Sequence, residues 1–131
     1  MERVLGIGGV FFRSADPAAL ARWYEANLGI NVYPATDDWW MQQAGPTVLA
    51  PFPADTDYFG RPEQQTMINF RVADLDAMLA QLRAAGSIVS DEISEASYGR
   101  FGWATDPDGN RFELWQPAAD LSNDLDLSKE A

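Results

Sequence analysis

The sequence predicts an α+β fold. Two tandem βαβββ modules should form one cupped, mostly antiparallel sheet, with both helices on its convex side. Three observations carry this. Phe12-Arg13-Ser14-Ala15-Asp16 recurs 58 residues later as Phe70-Arg71-Val72-Ala73-Asp74. In each copy a strand-like alternation precedes the Asp and a helical pattern follows it. The remainder of each half reads as short strands separated by turn residues.

The elements follow in order. Asp16 and Asp74 stand where an N-cap should, their carboxylates accepting the unpaired amides of a first turn. Pro17 takes the first helical position, where its missing N–H costs nothing. Leu20, Trp23, Tyr24 and Leu28 make one apolar stripe, and Leu75, Met78, Leu79 and Leu82 make the other. Helices are therefore expected over Asp16–Leu28 and Asp74–Ala85, stopped by Gly29 and Gly86 in left-handed caps. Strands are expected at Ile30–Tyr33, Trp39–Gln43 and Thr47–Ala50, then at Ser87–Ser90, Gly99–Thr105 and Asn110–Trp115. Asp106-Pro107-Asp108-Gly109 is a tight turn between the last two. The modules span 4–50 and 66–117, joined by a proline-rich linker, 51–65, in a single domain over 1–117. An acidic tail, 118–131, reads as a solvated extension.

Composition narrows the function. A chain of 131 residues with 7 Phe, 5 Trp and 4 Tyr is long and aromatic enough to bury a core. The net charge of −11 argues against nucleic acid, whose phosphates call for a basic surface. No apolar run reaches the roughly 20 residues that cross a bilayer, so no membrane partner is expected. With no cysteine and no export signal at Met1-Glu2-Arg3-Val4, a cytoplasmic address is the expectation. The histidine count is zero, which removes triads, dyads and metal centres that depend on imidazole.

The second half, with Ile68-Asn69-Phe70-Arg71-Val72-Ala73-Asp74, Tyr98-Gly99-Arg100-Phe101 and Asp106-Pro107-Asp108-Gly109-Asn110-Arg111-Phe112-Glu113-Leu114-Trp115, resembles the vicinal oxygen chelate superfamily. That group contains glyoxalase I, bleomycin-resistance proteins and extradiol dioxygenases, and the resemblance covers residues 4–117. It implies a metal-ligand position seven residues before each capping Asp, which here holds Gly9 and Met67. The last-strand position of the first module falls on Val48 or Leu49, and that of the second on Glu113. One carboxylate is too few for calcium or catalytic zinc, so neither a metal nor another cofactor is expected. Gln42 and Gln43 could be recruited, but nothing in the sequence demands it.

Alternation assigns faces. If Met67 looks into the cup, so do Asn69 and Arg71, while Ile68, Phe70 and Val72 pack on the helices. The repeat sends Gly9, Phe11 and Arg13 to the cup as well. Arg111, Glu113 and Trp115 share a face, as do Phe101 and Trp103 on theirs. The candidate ligand-binding set is Phe11, Met67, Asn69, Arg71, Trp103, Glu113 and Trp115. For Trp103 and Trp115, core filling or a dimer contact is favoured over a ligand contact, since aromatics dominate both settings. Glu113 is expected to pair with Arg71 or Arg111, and Tyr98 and Arg100 could serve an anion or simply lie at the surface.

Two function classes remain. One is a metal-free protein that holds a small molecule, as the bleomycin-resistance branch does. The other is a lyase, isomerase or dioxygenase with atypical metal ligands, or with Glu113 as an acid–base catalyst in an aromatic pocket. An interaction domain without a ligand is a third, plainer reading. Open sheet edges and a large concave surface point to a two-fold homodimer, with Tyr58, Phe59 and either Trp39 or Trp40 near the contact.

Overall fold

The computed structural model describes residues 1–32 and 39–121. Its elements are α1 (Pro17–Leu28), β1 (Asn69–Arg71), α2 (Leu75–Ala84), β2 (Ile88–Val89), β3 (Ser94–Ala96), β4 (Gly99–Thr105) and β5 (Arg111–Pro117). Both helices start where their caps require. Asp16 accepts from the Ala19 amide at 3.2 Å and Asp74 from the Ala77 amide at 3.0 Å. Helix α1 ends on Gly29 at φ 68°, a left-handed turn that costs a glycine nothing.

The sheet runs β1-β5-β4-β2, with β3 also pairing along β4. Only β1 and β5 are parallel; β4 pairs antiparallel with β5, β2 and β3. It is an open, mostly antiparallel sheet, and among the described residues the second half of the chain supplies all of it. Alternation along β5 sends Phe112 and Leu114 to one face. There they meet Leu75, Leu79 and Leu82 of α2, together with Ala104, as the buried core. Helix α1 lies on the same face: Tyr24 and Trp23 approach the Phe112 ring at 6.5 Å and 6.1 Å. Gln81 joins the helices by donating to the Asn27 carbonyl at 2.8 Å.

The turn after β4 fastens α1 to the sheet. The Asp106 carboxylate accepts from the backbone amides of Asp108 and Asn110, both at 2.9 Å, and from Asn110 Nδ2 at 2.7 Å. Its Oδ2 also accepts from the Tyr24 hydroxyl at 2.7 Å. Burial first, and then this carboxylate, push the Tyr24 phenol far above its ordinary range.

The first half departs from expectation. Its helix forms, but among the described residues no strand forms at 4–14, at Ile30–Val32, at Trp39–Gln43 or at Thr47–Ala50. Tyr33 and residues 122–131 lie outside the described residues. The cause is physical: alternation records which side of a strand is apolar, but a ladder also needs a partner edge. Gly6, Gly8 and Gly9 weaken the first segment further. In the second half, β3 at Ser94–Ala96 is an added strand that its short, polar sequence did not announce. The start of the tail is not a free extension, because Leu121 is buried.

Candidate functional site

The face of the sheet away from the helices is built around Glu113. Register places Asn69 of β1 and Trp103 of β4 directly beside it, and Arg71 and Phe101 beside Trp115. The strands therefore deliver Asn69, Arg71, Phe101, Trp103, Arg111, Glu113 and Trp115 to one face. Phe70, Phe112 and Leu114 go to the other.

Glu113 is only 8% exposed, and a carboxylate so placed must be satisfied by donors. Asn69 Nδ2 donates to Oε1 at 2.7 Å, and the Trp103 indole N–H donates to Oε2 at 3.0 Å. The third donor is the Tyr58 hydroxyl, from the linker between the two halves. The Tyr58 ring stacks on Phe52 with centroids 5.4 Å apart and stands edge-on to Trp103 at 6.2 Å. Burial, and then the hydrogen bond to Glu113, raise the Tyr58 phenol to about 12, so it is protonated and donates at neutral pH.

The expected Glu113–arginine pair does not form. Arg111 lies over the Trp103 ring, 5.4 Å from its centroid, and its Nε donates to the Tyr58 carbonyl at 3.2 Å. Arg71 turns away to donate to the Gln43 carbonyl at 2.8 Å. Both arginines share a face with Glu113, but each finds an aromatic surface or a backbone acceptor that costs less desolvation than a buried ion pair. Arg100 is paired with surface carboxylates. It forks both carboxylate oxygens of Asp76, at 3.1 Å and 3.2 Å, and reaches Glu95 at 3.2 Å. Its hydrogen bonds, and then its charge, hold the Asp76 carboxyl below the ordinary range.

Of the candidate residues, Asn69, Trp103 and Glu113 meet in one hydrogen-bonded group. Trp115 adjoins them, stacked on Phe101 at 5.9 Å and donating to the Tyr98 carbonyl at 3.1 Å. Met67 is half-buried at the lead-in to β1. Phe11 stands apart at 96% exposure, because the segment that would carry it into a cup is not paired. Trp40 leans on Phe70, on the helix side, with ring centroids 6.4 Å apart. Tyr58 and Phe52 lie outside the candidate ligand-binding set. The signal for them was the apolar Tyr58-Phe59 pair in a linker, but nothing local identifies the carboxylate that Tyr58 reaches.

A metal does not fit this site. The Glu113 oxygens face O–H and N–H groups, and an indole N–H has no lone pair for a cation. Among the described residues no three His, Cys, Asp or Glu side chains converge. No described helix is long and apolar enough to cross a membrane.

Comparison with known proteins places this geometry in a family. The family model described as a glyoxalase-like domain matches residues 9–115. A glyoxalase/bleomycin resistance protein from Streptomyces sp. CB03234 is 37% identical over 37% of this chain and 42% of its own, with a TM-score of 0.34. An antibiotic binding protein from the same organism is 26% identical, with 79% and 88% covered and a TM-score of 0.49. A member of the glyoxalase/bleomycin resistance protein/dioxygenase superfamily from Sphaerobacter thermophilus DSM 20745 is 18% identical over 79% and 90%, again with a TM-score of 0.49. No curated protein matches the sequence. The chain belongs to the glyoxalase-like domain family, within the vicinal oxygen chelate superfamily that its second half resembles.

Proposed function

We propose that this chain is a small-molecule-binding protein that holds its ligand on the aromatic face around Glu113, without a metal and without transforming it. The observation that carries this reading is a buried carboxylate whose donors among the described residues are all neutral, set among the rings of Trp103, Tyr58 and Phe52. Such a wall of apolar rings with a few converging polar groups suits a flat, partly apolar ligand. Acid–base catalysis fits less well, since Tyr58 stays protonated at neutral pH and the sheet residues Asn69 and Trp103 already donate to one Glu113 oxygen each. The test is a thermal-shift screen of aromatic small molecules, followed by recovery of each hit after incubation. A binding protein raises its melting temperature by mass action and returns the ligand unchanged. A hit that comes back chemically altered, with or without added metal, overturns the reading in favour of an enzyme.

The two-module cup and the homodimer belong to the same proposal. Support comes from segments with strand-like alternation that carry Val4, Leu5, Phe11, Met41 and Leu49 almost fully exposed. So much exposed apolar surface marks an association site. Pairing of these segments with a second copy would complete the sheet beyond β1. Sedimentation at micromolar concentration should give the dimer mass, and a monomer mass refutes the assembly.

A further inference from the structure

Tyr58 sits in the site as a ligand would. Its ring is stacked on Phe52 and edged by Trp103, and its hydroxyl donates to the buried carboxylate of Glu113. Yet it comes from outside the sheet. The stretch that carries it is held mainly by its own short-range bonds: Thr56 N to the Pro53 carbonyl at 3.0 Å, Gly60 N to the Asp57 carbonyl at 3.1 Å, and Tyr58 N to Thr56 Oγ1 at 3.2 Å. Among the described residues, the hydrogen bonds from 53–60 to the sheet are the Tyr58 hydroxyl and the Arg111 Nε bond to the Tyr58 carbonyl. The firm attachment lies further on, where Gln64 pairs with both the amide and the carbonyl of Arg111 at 2.9 Å and 2.7 Å. Tyr58 can therefore leave while Gln64 keeps the linker in place.

Glu113 dictates what replaces it. Asn69 and Trp103 belong to the sheet and stay, so only the third donor leaves. A buried carboxylate short of a donor is costly, so the incoming group has to donate a hydrogen bond. An acid is repelled by Glu113 itself. A cationic head meets the guanidinium of Arg111, which already covers Trp103. The walls that seat the Tyr58 ring favour an aromatic body.

Building on the binding-protein reading, we propose that the site takes a hydroxyaryl ligand whose phenolic hydroxyl replaces that of Tyr58 on Glu113. Tyr58 is then a built-in competitor that the ligand displaces.

Calorimetric titration of the full chain tests this with three probes. These are 2-naphthol, 2-methoxynaphthalene (the same rings without the donor) and 2-naphthylmethylamine, which is a cation at neutral pH. Wild type should bind 2-naphthol about tenfold more tightly than its methyl ether, the worth of one hydrogen bond to a charged acceptor. Tyr58→Phe should tighten both several-fold, because the internal competitor has lost its bond to Glu113. Glu113→Gln should bring 2-naphthol and the ether within about threefold of one another. The Tyr58→Phe comparison suffices if the Glu113→Gln variant does not fold. Equal binding of naphthol and ether, tightest binding of the amine, or affinities that ignore Tyr58→Phe each overturn the hydroxyaryl proposal while leaving a binding protein. Failure of all three probes on both wild type and Tyr58→Phe overturns the proposal and the binding reading together.

Discussion

Removing the Tyr24 hydroxyl should loosen the first half of the chain from the second. Tyr24 is 6% exposed and its acceptor Asp106 is 3% exposed, so water cannot take over their 2.7 Å hydrogen bond in the folded protein. A hydrogen bond to a charged group contributes roughly 1.5–3 kcal/mol net. Asp106 Oδ2 keeps its second donor, Asn110 Nδ2, which places the loss in the lower part of that range. Tyr24→Phe is therefore expected to cost about 2 kcal/mol. At roughly 3–5 °C per kcal/mol for a domain of this length, the melting temperature should fall by roughly 6–10 °C. The ring stays, so its contacts with Trp23 and Phe112 are kept and the change isolates the hydroxyl. Urea unfolding followed by tryptophan fluorescence reads the result, with the midpoint lowered and the slope unchanged. Combining Tyr24→Phe with Asp106→Asn should be less than additive by about 1 kcal/mol, because both act on one bond. A melting temperature unmoved by Tyr24→Phe, or full additivity in the cycle, refutes the idea that this bond fastens α1 to the sheet.

Other outcomes can be checked alongside. Tyr58 has its phenol raised from 10.0 to about 12 in the folded chain, so its contribution to stability is complete below pH 10.0 and is lost as pH rises through about 12. Stability measured across that window should fall less in Tyr58→Phe than in wild type, and identical profiles would count against the Glu113 contact. Gly99→Ala should cost about 1–3 kcal/mol in urea unfolding, because φ there is 141° and a Cβ would run into the Gln116 carbonyl and the Trp115 indole. Leu79→Ala, at a fully packed position between α2 and Gly102, should cost about 3 kcal/mol, and a loss below about 1 kcal/mol would mean that α2 is not seated as described.

The sequence alone determined whatever depends on near neighbours. Asp16 and Asp74 announce their helices because a cap bonds to an amide three residues on. The 3.6-residue stripe of α2 names Leu75, Leu79 and Leu82 as its buried side. Alternation on β1 and β5 put Asn69, Arg71, Glu113 and Trp115 on one face, and zero histidines ruled out imidazole chemistry before any coordinate. Tertiary structure decided what depends on partners far along the chain. Tyr58 reaches Glu113 across 55 residues, and Tyr24 reaches Asp106 across 82. Neither separation leaves a periodic trace. The arginines assigned to Glu113 went instead to Trp103 and to the Gln43 carbonyl, because a side chain's choice among acceptors depends on desolvation at positions that only folding brings together. The strand pattern of the first half met the same limit. Its alternation states which side wants burial, but the edge it must pair with is a property of the assembled sheet.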